Sequence, residues 1–241
     1  MELVPQHRAL FGVDVVGSAR NPGHLLNAVR TTVDEALDQA LWGAGISPSE
    51  VLEQESTGDG ALLTLPSGRL GALFDMAQHL EIALAEHNKW RRPDVRMRIA
   101  VEVGPVGDRP GLYPAKITLA RLLNSEAFKR TFRRCVDDRR HEGASTALIA
   151  SDHALRTAFG GDHTTLVRRA EFTRISVRDK EFTDTAWIRV PGSDLRDEIE
   201  PTTSDQPASG GVSNHVTGTM HGVQAHTVNG GITFGVPRDS W

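Results

Sequence analysis

The 241-residue chain has one cysteine, no long run of apolar residues and no secretory pattern at its N-terminus. A single cysteine, Cys135, excludes an intramolecular disulfide and any zinc site built from several cysteines, and scarce cysteine is typical of a reducing compartment. No stretch approaches the ~18 uninterrupted apolar residues that a transmembrane helix requires. The sequence therefore predicts a cytoplasmic protein without a membrane partner.

The chain also lacks an excess of positive charge, since its formal net charge is −4 at pH 7. General nucleic-acid binding needs clustered cations that displace the counterions of phosphates, so no nucleic-acid partner is predicted. A P-loop, a dinucleotide-binding glycine motif and a Gly-x-Ser-x-Gly motif are absent as well. These absences exclude the commoner nucleotide-binding and hydrolase sites.

Hydrophobic periodicity divides the first 190 or so residues into strands and helices. It predicts strands at 9–16, 51–56, 61–65, 96–103, 147–150, 172–177 and 186–190, and helices at 25–41, 70–84, 115–132 and 152–159. The second and third strands flank Thr57-Gly58-Asp59-Gly60, a tight-turn sequence, and so form a hairpin. This order predicts an α+β or α/β sandwich, with helices packed on one mixed sheet.

The C-terminal part of the chain has a different composition. Residues 193–211 are rich in Pro, Ser, Thr, Asp and Glu and have too little apolar surface to offset chain ordering, which predicts a disordered linker. In residues 212–236, small apolar residues and glycines recur in two similar halves. This short Gly-rich tail is predicted to form two β-arches.

Two aspartates are candidate metal ligands. Asp14 lies in the first predicted strand and Asp59 at the tip of the hairpin. If the hairpin pairs beside that strand, as short connections favour, the two carboxylates become neighbours. Adjacent carboxylates attract Mg2+ or Mn2+, whose other ligands include water and substrate phosphates. From spacing alone, an ordinary turn aspartate remains the simpler interpretation.

The residues around both aspartates resemble a known family. Phe11-Gly-Val-Asp14-Val-Val-Gly17-Ser18 resembles the opening motif of class III nucleotidyl cyclases, and Glu55-Ser-Thr-Gly58-Asp59-Gly60 resembles their second metal motif. The resemblance covers residues 6–192 and is closest to divergent cyclase-like domains of actinobacteria. It implies a ferredoxin-like βααββαβ sandwich that forms a homodimer, with a nucleoside triphosphate held at the interface.

The resemblance also implies roles for individual residues. Asp14 and Asp59 would bind two divalent ions, with the Val15 carbonyl near them. Arg121 matches an arginine that stabilises charge on the phosphate in the transition state, and Lys180 matches a lysine that contacts the triphosphate. Alternative interpretations are a solvated hairpin residue for Lys180 and an ion pair on a helix surface for Arg121.

The position that recognises the base is Glu55, where guanylate cyclases have Glu and adenylate cyclases usually have Lys. A solvated hairpin residue is again the alternative interpretation. One departure from the family concerns the ribose. The family has an asparagine four residues before its arginine, whereas this chain has Ile117 there, or Thr118 if one residue is deleted. An intact metal site with an altered nucleotide site implies low, altered or absent turnover.

Residues 212–236 resemble the RHIM-like amyloid signalling motifs of bacteria. Their low charge, β-branched residues and Asn/Gln side chains suit the stacking of identical strands. The resemblance implies a partner NTPase receptor that shares the motif. A flexible Gly-rich tail is the alternative.

Two functions from different classes follow from the sequence. The first is a homodimeric enzyme that forms cGMP or cAMP from a nucleoside triphosphate with two divalent ions. The second is a catalytically degenerate cyclase-like module that binds a nucleotide or a partner. Asp14, Asp59, Glu55 and Arg121 favour the first, and Ile117 favours the second.

Overall fold

The computed structural model describes residues 4–17, 22–107, 111, 113–137, 143–161, 163–179 and 182–195. Lys180, most of the predicted linker and the whole predicted tail at 212–236 lie outside the described residues. The strands are β1 (Gln6–Val15), β2 (Glu53–Ser56), β3 (Gly60–Pro66), β4 (Met97–Val106), β5 (Thr146–Ser151), β6 (Thr173–Asp179) and β7 (Phe182–Arg189). The helices are α1 (Gly23–Gly43), α2 (Leu70–Trp90), α3 (Pro114–Asn124), α4 (Glu126–Asp137) and α5 (Asp152–Phe159).

All seven strands form one sheet in the order β2-β3-β1-β4-β5-β7-β6. Only the β4–β5 pair is parallel, and the other neighbours are antiparallel. The predicted hairpin does pair beside the first strand, and Asp14 lies in register with Gly60 of β3 and with Arg98 of β4. This register places Asp14 between the hairpin tip and the start of β4.

Helices cover both faces of the sheet. Phe11 and Val13 of β1 belong to the apolar cluster that includes residues of α1, α2 and α5. Leu10 belongs to a second cluster, which includes Leu119 of α3 and Phe128 of α4. Because successive side chains of a strand point to opposite faces, Asp14 shares the α3 face with Leu10. The expected α+β class is confirmed.

The helix predicted at 115–132 is two helices in the structure. Ser125 separates α3 from α4 with an extended backbone, φ −55° and ψ 128°, and its hydroxyl accepts a hydrogen bond from the Phe128 N–H at 3.3 Å. This is the side-chain contact by which a serine caps the first turn of a helix. The apolar periodicity continues across the break, so the prediction of one helix missed the cap.

Across the described part of the chain, no helix is long and apolar enough to span a membrane.

Candidate metal and nucleotide site

Asp14 and Asp59 come together where β1 meets the tip of the β2–β3 hairpin. The Val15 N–H donates to the Asp59 carbonyl oxygen at 3.3 Å, which ties the tip to the end of β1. Gly58 adopts a left-handed φ of 93° that side chains disfavour, and a Cβ on Gly60 would lie only 2.0 Å from the Val13 oxygen. The two glycines therefore allow the tight turn that brings Asp59 against β1.

Negative charge is crowded at Asp14. Burial raises the pKa of the Asp14 carboxyl, the Arg98 guanidinium opposes this effect, and the charge and hydrogen bond of Asp59 raise the pKa further. The net direction is upward from the ordinary value of 3.8, although a cation is already in contact. A second cation at this place would favour the ionised form of the Asp14 carboxyl group.

Arg98 is a site residue that the sequence did not indicate. Its guanidinium forms an ion pair with Asp14, and its side chain is only 15% exposed. The alternation of charged and apolar residues at 96–103 predicted a half-buried strand, but it did not reveal the neighbour of each arginine. That contact depends on the register of β4 against β1.

A groove of about 290 Å³ opens beside the two aspartates. Gly12, Asp14, Thr57 and Asp59 line one side of it, and the α3 residues Leu119, Ala120, Leu123 and Asn124 line the other. Asn124 was also missed by sequence reasoning. Its amide donates to the Ala120 carbonyl at 3.1 Å, as a polar residue in the last turn of a helix often does. The groove thus combines carboxylates, one amide and an apolar wall.

Glu55 does not line this groove, because it is held by a lysine of α3. Lys116 Nζ lies 2.6 Å from a Glu55 carboxylate oxygen and 2.8 Å from one of Glu53. Burial alone would lower the pKa of Lys116, but hydrogen bonds and charges of the two glutamates outweigh it and raise the pKa. The proposed base-recognition residue is therefore ion-paired within the protomer.

The resemblance also singled out Arg121, Lys180 and Ile117. Arg121 lies on an exposed part of α3 and is not among the residues that line the groove. Lys180 lies outside the described residues. Ile117, the departure from the family, is half-buried on α3 one residue after Lys116.

The donor set at Asp14 and Asp59 fits a magnesium-type ion. Over the residues that the structure describes, no three or more His, Cys, Asp or Glu side chains group together as a closed metal site. Mg2+ is commonly bound through one or two carboxylates, with waters and substrate phosphates completing its shell. Two carboxylates at an open groove are such a set.

Solved structures similar to this one share its architecture. An adenylate/guanylate cyclase/hydrolase from Silicibacter pomeroyi superimposes with a TM-score of 0.55 at 20% identity, covering 77% of this chain and 97% of that one. A bacterial light-regulated adenylyl cyclase gives 0.50 at 12%, covering 78% and 91%. The fold is that of adenylate/guanylate cyclase domains.

At these identities, the likeness establishes the cyclase fold alone. A guanylate cyclase domain from Catenaria anguillulae in complex with GTP has a TM-score of 0.49 at 14% identity, with 78% of this chain and 98% of that chain covered. No protein-family model matches the sequence, and no curated protein matches it. What this cyclase-fold domain does must therefore be argued from its own residues.

Proposed function

We propose that the chain is a class III nucleotidyl-cyclase-like signalling protein that forms cGMP or cAMP from a nucleoside triphosphate. The observation that supports this function is the convergence of Asp14 and Asp59 at the mouth of a groove. Both carboxylates belong to motifs that resemble the metal motifs of the family. A turn aspartate without a function would not need a second, half-buried carboxylate beside it.

In this proposal, Asp14, Asp59 and the Val15 carbonyl hold two Mg2+ or Mn2+ ions. When bound, the ions would activate the attacking hydroxyl and neutralise charge on the triphosphate. Arg98 supplies a permanent positive charge beside Asp14, where phosphates would approach. The α3 wall of the groove excludes water from one side of the nucleotide.

The proposed enzyme is a homodimer. Arg121 is exposed on α3 and is not among the residues that line the groove of its own protomer, which suits a side chain that acts on a nucleotide held by a second copy. Stabilisation of charge on the phosphate remains its proposed role, and Lys180 is proposed to contact the triphosphate. Glu55 would recognise the base after exchanging its contact with Lys116.

A second candidate function is a degenerate cyclase-like module that binds a nucleotide or a partner without turnover. Two observations on α3 favour it. Ile117 stands where the family has the asparagine that positions the ribose. Lys116 already forms an ion pair with the carboxylate of Glu55. Both observations concern residues proposed to bind the nucleotide, not residues proposed to bind the metal ions.

Residues 212–236 are proposed to act as an RHIM-like amyloid signalling motif that couples the domain to an NTPase receptor with the same motif. We also propose a cytoplasmic location and an actinobacterial type of cyclase domain. A peptide of residues 212–236 that stays soluble and does not bind thioflavin T would contradict the amyloid proposal.

Turnover is tested by incubating the full chain with each of the four nucleoside triphosphates and Mn2+, and by identifying products by mass spectrometry. We expect cGMP or cAMP to accumulate, and excess chelator to stop its formation. If no triphosphate yields a cyclic product but one still binds, the degenerate module is the correct function. If none binds, both the enzyme and a nucleotide-binding module are wrong, and only a module that binds a protein partner is left.

Replacing Arg98 by Gln is expected to tighten the binding of Mn2+ by about tenfold, because a positive charge that repels the ion is removed from its ligand. The same change should raise the KM for the triphosphate, since a phosphate contact is lost. Electron paramagnetic resonance of free Mn2+ at pH 8 measures the first effect. Weaker Mn2+ binding by the variant would show that Arg98 supports the site rather than competing for Asp14.

A further inference from the structure

A second cavity, of about 360 Å³, lies between α1 and the β2–β3 hairpin. Its α1 wall consists mainly of the apolar side chains Leu26, Val29, Val33 and Leu37. Val15 of β1 also lines it and packs in the apolar cluster of α1, whereas Asp14 faces α3. The cavity therefore lies on the α1 side of the sheet, whereas the groove lies on the α3 side, and the two share only Asp59 and Ala61 among their described lining residues. Its volume falls within the range of about 300–1,000 Å³ that is typical of small-molecule sites.

A few polar groups stand at the rim of this apolar cavity. Arg30 of α1 donates to the Gly58 carbonyl at 3.1 Å and to the Ser56 hydroxyl at 3.3 Å. Its Nε lies 4.0 Å from a carboxylate oxygen of Asp34, one turn further along α1. Among the residues that the structure describes, two carboxylates, Asp34 and Asp59, and one guanidinium line the cavity. A negatively charged ligand would meet net repulsion, whereas an uncharged acceptor oxygen suits Arg30.

We propose that this cavity binds an uncharged, mainly apolar small molecule through a carbonyl-type oxygen that accepts hydrogen bonds from Arg30. The molecule would lie against the aliphatic wall of α1, and its oxygen would replace the Gly58 carbonyl or the Ser56 hydroxyl as a partner of the guanidinium. A mainly apolar pocket with few polar residues favours a ligand of this kind, which has an apolar body and one oriented polar group.

Occupancy of the cavity would act on the metal site, and this part of the inference rests on the proposed function. Asp59 follows Gly58 in the chain and lines the cavity itself. A ligand that takes Arg30 from the hairpin tip removes two hydrogen bonds to the tip and leaves Asp59 held against β1 by the Val15 N–H bond and the turn alone. The ligand therefore weakens metal binding, and by linkage the metal weakens binding of the ligand by the same factor.

The neutral naphthyl ketone prodan is a suitable probe, because its emission depends on the polarity of its surroundings. The full chain should bind it saturably. Arg30→Gln should lower the affinity about tenfold, as expected when a charged hydrogen-bond donor is replaced by a shorter, neutral one. Val33→Phe, which fills the cavity from α1, should abolish binding.

Arg91→Gln is the matched control, since Arg91 is exposed and lines a different cleft between α1 and α2. It should leave the affinity for prodan unchanged. Equal binding by the wild type, Arg30→Gln and Val33→Phe would overturn the proposed site, and so would a loss of binding confined to Arg91→Gln. Arg30 is more than half exposed, so its variant tests the site even if Val33→Phe fails to fold.

The coupling is measured by Mn2+ titration with and without saturating prodan. We expect several-fold weaker Mn2+ binding in its presence, and an unchanged Mn2+ affinity would overturn the coupling. Failure of the proposed function gives a different result, because prodan would then bind to a protein that does not bind Mn2+. Failure of this inference alone would leave Mn2+ binding intact without a prodan site.

Discussion

Asp59→Asn is expected to lower the rate of cyclic nucleotide formation at least about 100-fold, the scale of effect that follows loss of strong electrostatic stabilisation in a transition state. The amide keeps the size of the side chain and removes its charge. Within the described part of the chain, Asp14 would then be the only carboxylate that lines the groove, and it is already paired with Arg98. The measurement is kcat with Mn2+ and the triphosphate that the wild type converts.

Asp38→Asn is the matched control for this change. Asp38 is an exposed carboxylate on α1 and is not among the residues that line the groove. It should retain wild-type kcat. An Asp59→Asn variant with nearly full activity would show that Asp59 is a turn residue without a role in catalysis.

Glu102→Gln is expected to stabilise the folded domain at pH 8 by up to about 3 kcal/mol. Glu102 of β4 is 5% exposed. Its carboxyl accepts hydrogen bonds from the Val103 N–H and the Ser151 hydroxyl, both at 2.8 Å. Burial raises the pKa of Glu102 from 4.5 to about 7, against the effect of these two donors and with a smaller contribution from Asp184. Gln can keep the acceptor oxygen but cannot ionise.

The raised pKa of Glu102 makes the stability of the wild type depend on pH. Between pH 4.5 and about 7, the folded protein retains a proton on Glu102 that the unfolded chain has released. The free energy of unfolding of the wild type should therefore fall as the pH rises through this range. The variant should lack this part of the dependence and should match the wild type most closely near pH 4.5.

Denaturant unfolding at pH 5 and pH 8 measures the effect. Glu126→Gln is the control, because the Glu126 side chain is 82% exposed and should change stability little at either pH. If Glu102→Gln unfolds at lower denaturant concentration than the wild type at pH 8, the charged form of Glu102 stabilises the fold and the prediction is wrong.

Local sequence patterns predicted most of the fold. The apolar run of β1, the helical spacing of α1 and the Gly58-Asp59-Gly60 turn are each specified by a few adjacent residues, and short connections then place the hairpin beside β1. The same turn and short connections bring Asp14 and Asp59 together. The break at Ser125 was missed because its capping hydrogen bond competes with an apolar period that continues through it.

The remaining site contacts could not be predicted in this way. Arg98 is 84 residues from Asp14 in the chain, and Lys116 is 61 residues from Glu55. The first contact follows from the register of β4 on β1, and the second from the packing of α3 near β2. Neither the register of two strands nor the packing of a helix can be predicted from the hydrophobic periodicity of a single segment. Both contacts bear on function, since each gives a cationic partner to a carboxylate with a proposed role.

These two ion pairs differ in what they imply for the competing functions. The Arg98–Asp14 pair leaves Asp59 among the residues that line the groove and places a cation beside Asp14. The Lys116–Glu55 pair engages the carboxylate proposed to recognise the base. Retention of metal binding is therefore expected to be more robust than retention of base selectivity.

Anomalous scattering from crystals soaked in Mn2+ with a nucleoside triphosphate tests the central claim most directly. We expect a manganese peak within coordinating distance of the carboxylates of Asp14 and Asp59, and its loss in the double variant Asp14→Asn/Asp59→Asn. Ordered manganese elsewhere, with none between these two side chains, would contradict it.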